Sequence, residues 1–248
     1  MAVSPYSNQP VSNWRCITQN LVNEYPISPQ ELLDITMLSW SRLWSSEIGG
    51  KIRIDEVDLP ATVVGYFFQK LFSHELSSRY PDVWKGEEFK SDKDLVNIIQ
   101  PQFSTEMKAS GQLGCALFGN RSYNQQSDAA ESSGKDKSGY YITLNFYEKT
   151  ITLLRLGWID QDDWMPQGAA TGQAAVLKPE VYQYKLMEIN GDYRNESPIQ
   201  LLNGVGPKAA EELRNDNIFT FGDIKNYDGN NSKVIKIQRA NIGLLTSF

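Results

Sequence analysis

Apolar residues recur at three- and four-residue spacing from Leu32 to Trp44, at Leu32, Leu33, Ile35, Met37, Leu38, Trp40, Leu43 and Trp44. That period is the mark of a helix burying one face. Its start is signalled as well: Ser28 can cap, Pro29 takes the first helical position, and Glu31 follows three residues after the cap, the capping-box arrangement. Val63, Val64, Phe67, Phe68, Leu71, Phe72 and Leu76 predict a second helix from Leu59 to Ser78, with Asp58 as candidate cap, Pro60 in the first turn and Pro81 beyond the end. From Asp94 the period becomes strand-like. Leu95 to Ile99 and Phe103 to Ala109 predict two strands turning at Pro101-Gln102. Tyr140 to Phe146 and Thr150 to Trp158 predict a hairpin around Tyr147-Glu148-Lys149, since runs rich in β-branched and aromatic residues bounded by turn residues pair in this way. Asn124 to Gly139 is rich in Ser, Gly, Asp and Lys and reads as a mobile loop. It either touches substrate or is a plain solvated insertion. Residues 1–25 are polar and read as a weakly ordered, flexible arm. Near residue 197 the pattern turns helical again. A soft boundary there separates a core over residues 26–196 from a small module over residues 197–248.

Composition narrows the function. With 248 residues, 40% of them hydrophobic and 11% aromatic, the chain can bury a catalytic core and a small appended module. No run approaches the roughly 20 apolar residues that a bilayer requires, and the N-terminus has no basic start followed by an apolar block. A cytoplasmic protein with no membrane partner is expected. Cys16 and Cys115 are too few for a four-thiolate zinc site, and no disulfide is expected in a reducing compartment. The single histidine, His74, excludes a His-rich metal centre and the His-metal finger nucleases; on its helical pattern it reads as a packing or surface residue. A net charge of −6 argues against a non-specific nucleic-acid coat. It leaves open a sequence-specific DNA enzyme with its cations gathered in one cleft.

The candidate chemistry lies in Asp92-Lys93-Asp94-Leu95-Val96 and Ser104-Thr105-Glu106-Met107-Lys108-Ala109-Ser110. Residues two apart in a strand share a face, so Glu106 and Lys108 project together while Met107 points to the core. If the preceding strand turns back, Asp94 comes level with Glu106. Two carboxylates can hold Mg²⁺, a hard cation that keeps several waters, and Lys108 can orient or deprotonate a water and stabilise charge on phosphorus. The pattern by itself fits a salt-bridged pair on a solvated strand equally well.

With GYFFQKLF (65–72), DKDLVNI (92–98), STEMKAS (104–110), FGNRSY (118–123), KSGYYITLNF (137–146), LRLGWIDQDDW (154–164) and TGQAA (171–175), the chain resembles the PD-(D/E)xK nuclease superfamily. More narrowly, it is similar to ScaI-type type II restriction endonucleases. The resemblance implies an α/β (α+β) core, a mixed central sheet flanked by helices. It implies Mg²⁺-dependent cleavage of double-stranded DNA at a short palindrome by a homodimer, with a cognate methyltransferase in the same system and AGTACT as the first site to test. Asp94, Glu106 and Lys108 take the catalytic positions, Asp94 and Glu106 the metal. Where the family often carries a glutamate on the preceding helix, this chain has Gln69, whose amide oxygen could accept from a metal-bound water; Glu75 is a second candidate. Lys93 stands where a proline usually precedes the aspartate.

Asn120, Arg121, Ser122 and Tyr123 are candidate DNA contacts, because Arg and Asn can read guanine and adenine edges bidentately; the alternative is a polar loop meeting only solvent. Trp158 to Trp164 is a second reading loop or an acidic structural cluster. Ile199 to Leu213 resembles a helix-hairpin-helix. Gly204 and Gly206 permit a tight hairpin exposing backbone N–H groups, Pro207 opens a helix, and Lys208 adds a cation, so the unit suits a DNA phosphate or, alternatively, a protein partner. Ile218, Phe221 and Ile224 would complete its core. Two further readings of the whole chain stand beside the restriction enzyme: a repair or recombination nuclease that recognises DNA structure, and a non-catalytic DNA-binding protein.

Overall fold

The computed structural model describes residues 3–120, 136–166 and 174–248. The chain opens with α1 (Val11–Glu24) and α2 (Pro29–Trp44). The segment expected as a flexible arm is therefore largely helix. It is held by contacts made far away in sequence: the Tyr6 hydroxyl shares a 2.8 Å hydrogen bond with Thr18, and Thr18 donates to the Tyr184 carbonyl at 2.5 Å. Its apolar residues are few and set among polar ones, yet Trp14, Ile17, Leu21 and Val22 fall at helical spacing and pack against the main core. α2 starts as its sequence requires, with Ser28 accepting from the Glu31 N–H at 3.2 Å.

A short hairpin, β1 (Glu47–Ile48) and β2 (Ile52–Arg53), leads to α3 (Ala61–Arg79). Pro60, not Asp58, is its N-cap, and no side chain caps it. The main sheet then builds up from β3 (Trp84–Gly86), β4 (Leu95–Asn97), β5 (Thr105–Gly111), β6 (Phe118–Asn120) diverging to a second sheet, and the long hairpin β7 (Gly139–Tyr147) and β8 (Thr150–Ile159). β9 (Trp164–Pro166) and β10 (Ala174–Leu177) join β6 in three strands ordered β6-β10-β9, while β11 (Leu186–Glu188) closes the main sheet in the order β11-β8-β7-β5-β4-β3. The pairing of β5 with β7 is parallel and the other pairings antiparallel, so the central sheet is mixed.

Strand alternation divides this sheet into two faces. Met107, Ile142, Leu144, Leu154 and Leu156 pack with Val64, Phe68 and Phe72 of α3 and Trp40 of α2. The approach is close: a Cβ added at Gly65 would stand 3.1 Å from that of Ala109. The opposite face carries Glu106, Lys108, Tyr141, Thr143, Asn145 and Arg155, and beside them a second apolar cluster that includes Tyr141, Ile159, Trp164, Leu177 and Leu186. Helices thus cover one side, and polar groups can collect on the other.

From Ile199 onward the chain forms its own apolar cluster, with Leu202, Val205, Leu213, Phe221, Ile224, Val234 and Ile237 among its buried members. These come from α4 (Pro207–Asn215), α5 (Phe221–Lys225), α6 (Ser232–Ala240), their connections, and α7 (Ile242–Leu245). Ile218, Phe221 and Ile224 are all buried there. The guanidinium of Arg194 lies over the Phe221 and Phe248 rings and ties this unit to the core.

Candidate active site

The β4–β5 register places Leu95 opposite Thr105, so the next pair inward is Asp94 and Glu106. Asp94 is 6% exposed and Glu106 3%. The Asp94 carboxylate accepts from the Met107 N–H at 2.7 Å, which fixes its orientation against β5. Lys108 donates to Glu106 Oε1 at 2.9 Å and to the Met107 carbonyl at 3.2 Å. Burial works against the Lys108 ammonium, but the charges of Glu106 and Asp94 outweigh it and hold its pKa above the ordinary lysine value. At neutral pH Lys108 therefore keeps its proton and acts as a cation.

The three residues singled out in the sequence are brought together on the sheet face that the helices leave uncovered. Two adjacent buried carboxylates offer hard oxygen donors, which suits a divalent cation that completes its shell with water and phosphate oxygens. No cluster of three or more His, Cys, Asp and Glu side chains suited to a metal occurs among the described residues.

The helix-borne candidates are placed differently. Glu75 accepts from Arg79 at 2.9 Å and from Arg42, and these hydrogen bonds hold its carboxyl below the usual range against the opposing effect of burial. Glu75 is thus part of an ion-paired joint between α2 and α3. Gln69 is half-buried on α3, one turn from Gly65, on the helix that packs against the opposite sheet face. His74 is exposed on the same helix.

Asn120 ends β6 opposite Ala174 of β10. Arg121, Ser122 and Tyr123, residues 124–135 of the expected mobile loop and residues 171–173 of the TGQAA segment lie outside the described residues. The root of this candidate reading segment is anchored to the main sheet. Arg155 donates to the Cys115 carbonyl at 3.0 Å, Asn145 to the Ala116 carbonyl at 3.0 Å, and the Leu117 N–H to the Tyr182 hydroxyl at 2.9 Å. The loop expected through Gly139 is fixed at its end: the Lys93 ammonium donates to the Asp136 carbonyl and, at 3.0 Å, to that of Ser138. A cavity of about 350 Å³, lined in part by Asp92, Lys93, Pro101, Ser104, Asp136 and Ser138, opens beside it.

The acidic Trp158–Trp164 segment is structural. Asp160 and Asp163 both bind the buried ammonium of Lys185, and each bonds the other's turn in a reciprocal cap.

The model of the ScaI restriction endonuclease family matches residues 4–190. The chain belongs to that family. It is a type II restriction endonuclease, an enzyme that cuts DNA at a specific sequence, and divalent metal ions are general cofactors of that class. The type II restriction enzyme ScaI of Streptomyces caespitosus is 31% identical over 196 residues, covering 75% of this chain and 85% of the relative. A solved restriction endonuclease in complex with substrate DNA is 12% identical, with a TM-score of 0.37, covering 82% of this chain and 96% of that one. The family match stops before the C-terminal unit.

The sequence did not point to Lys93 or Lys137. Their signal was masked by the polar composition around them, which looks the same whether a lysine is solvated or folded inward.

Proposed function

We propose that this chain hydrolyses double-stranded DNA at a short palindrome, with Asp94 and Glu106 holding Mg²⁺ and Lys108 stabilising the phosphate undergoing attack. The observation that carries this reading is the hydrogen bond from the Met107 N–H to Asp94, which locks the first carboxylate beside the strand bearing Glu106 and Lys108. Bound Mg²⁺ would polarise the phosphate and lower the pKa of a water. The chain's own part is to hold two carboxylates rigidly in a dry environment and to keep a protonated ammonium 2.9 Å from one of them. Positioned charge of this kind stabilises a transition state that gains negative charge. Gln69 would contribute only through its amide oxygen. Such an enzyme acts in the cytoplasm, with a methyltransferase protecting the host's own sites. A two-fold site on DNA favours a homodimer.

Incubation with plasmid and phage DNA in Mg²⁺ tests this directly, beginning with substrates containing AGTACT. Discrete fragments that vanish in EDTA are expected. A smear would indicate a non-specific nuclease, cleavage only of junctions or flaps a structure-specific one, and intact DNA across many templates a non-catalytic DNA-binding protein.

For DNA reading we propose Asn120, Arg121, Ser122 and Tyr123, because the chain leading to them is anchored to the sheet that carries Lys108. In the C-terminal unit, Gly204 has φ +85°, Gly206 caps α4, and Pro207 opens that helix. The segment before the hairpin is a 3-10 turn, Ile199–Leu201, shorter than a full first helix. We assign the Gly204–Gly206 hairpin and Lys208 to DNA backbone. A phosphate contact confers affinity without reading sequence. Lys208→Ala is therefore expected to weaken binding equally for cognate and non-cognate duplexes and to reduce the salt slope by about 1, as measured by fluorescence anisotropy across a salt series. Unchanged affinity would leave the module to a protein partner.

A further inference from the structure

We infer that Lys137 is a second catalytic lysine, placed to contact the scissile phosphate alongside Lys108. The inference rests on the nuclease reading above and adds to it a residue outside the D…ExK pattern.

Lys137 precedes β7 and is 6% exposed, an uncommon state for a lysine in a polar, Ser- and Gly-rich stretch. Its backbone is fixed from two sides. Lys93, the neighbour of Asp94, donates to the carbonyls of both flanking residues, Asp136 and Ser138. Tyr141, the register partner of Glu106, donates its hydroxyl to the Lys137 carbonyl at 2.6 Å. The neighbour of Asp94 and the strand paired with the one bearing Glu106 therefore hold the peptide that carries Lys137. Gly139 allows the chain to turn here: its φ is +144°, and a Cβ would stand 3.6 Å from the Lys93 ammonium. The Lys137 side chain lies within electrostatic reach of Glu106; burial holds its ammonium below the ordinary lysine value, and the Glu106 charge offsets only part of that effect.

Charge balance gives this arrangement a purpose. Asp94, Glu106, Lys108 and Lys137 sum to zero. A divalent cation would raise the sum to +2, and the pentacoordinate phosphate carries two negative charges once the attacking water has lost a proton. A single lysine would leave that centre one positive charge short. Burial near the carboxylates keeps both ammonium groups where this charge develops, and fixed charges there need no reorganisation during the reaction. Water adds to phosphorus and releases a proton to solvent, the bond to the leaving oxygen breaks and that oxygen takes a proton from solvent, so both lysines keep their protons throughout.

The test compares wild type with Lys137→Met and Lys137→Arg, using a duplex that carries the mapped site and an otherwise identical duplex with one neutral methylphosphonate at the scissile linkage. Lys137→Met is expected to slow single-turnover cleavage about 100-fold, as loss of one transition-state donor does, with Lys137→Arg retaining part of the rate. In Ca²⁺, without cleavage, the methylphosphonate should weaken binding by wild type several-fold more than by Lys137→Met, because both proteins lose the Lys108 charge contact but only wild type also loses that of Lys137. Thermal melting sets a temperature at which all three proteins are folded. If wild type cuts and Lys137→Met cuts within threefold of it, the inference fails while the nuclease reading stands. Additive effects of the variant and the methylphosphonate on binding also overturn it. Failure of wild type to cut any duplex overturns the nuclease reading itself.

Discussion

Lys108→Ala is expected to lower single-turnover cleavage by about 1,000-fold, the upper end of what removing one preorganised donor costs, while leaving the fold and the affinity for DNA in Ca²⁺ nearly unchanged. The expectation comes from where the ammonium sits. Its side chain is partly open and its partner, Glu106 Oε1, is 2.9 Å away. On the strand it points to the face away from Met107 and the helices. Truncation therefore removes a charge from the candidate site on the sheet face away from the helices, without opening a cavity in the packed layer. The Glu106 carboxylate would be left buried with less compensation, and that is the structural cost to watch. Lys108→Met controls for it by keeping most of the stem. The decisive measurements are a rapid-quench time course with saturating enzyme and a melting curve of each variant. A rate within tenfold of wild type, from protein that melts normally, would remove Lys108 from the chemistry. Equal losses in rate and Tm would make it a structural residue instead.

The proximity of Asp94, Glu106 and Lys108 was legible in the sequence, and the reason is local. A strand fixes which residues share a face, so Glu106 and Lys108 were paired by their spacing alone. The turn at Pro101–Phe103 then sets the register that returns Asp94 to Glu106. Long helices were legible for a similar reason, since α2 carries its own apolar stripe and its own cap. What escaped depends on contacts between distant segments. α1 looked like a loose arm because its short stripe of Trp14, Ile17, Leu21 and Val22 is diluted by polar residues, and its hydrogen bond from Thr18 to the Tyr184 carbonyl comes from a distant segment. Glu75 suited a metal by type and helical position, yet Arg42 reaches it from another helix. Residues 136–138 read as the end of a mobile loop because the bonds fixing them come from Lys93, more than forty positions earlier. In each case the deciding partner belongs to a segment that periodicity cannot bring near.

The same reasoning predicts the largest loss of stability outside the active site. Lys185 is 3% exposed, and its ammonium bonds Asp160 Oδ2 at 2.8 Å and both Asp163 oxygens, at 2.9 and 2.8 Å. It also lies 4.4 Å from the Tyr6 ring centroid and 4.5 Å from that of Trp14, so it joins the N-terminal segment to the β8–β9 connection. Lys185→Met keeps the apolar stem and removes the charge. Breaking a buried pair in this way typically costs about 3–5 kcal/mol, because the remaining carboxylate stays buried without its partner. In a chain of this size that corresponds to a fall in Tm of about 10 °C. The pH dependence follows from Asp163. Burial already raises its pKa against the opposing pull of Lys185, and removing that pull raises it further. A carboxyl whose folded pKa lies above its unfolded value contributes stability at acid pH and loses it as pH rises through the folded pKa. The deficit of Lys185→Met relative to wild type should therefore be small in acid and widen as the pH rises above the ordinary aspartate value. Adding Asp163→Asn, which keeps an acceptor for the Asp160 N–H, should restore much of the loss at neutral pH. Denaturant melts of both variants at several pH values measure this, and a deficit that is constant with pH, or unaffected by Asp163→Asn, would show that the ammonium acts through packing against Tyr6 and Trp14 rather than through the buried carboxylate.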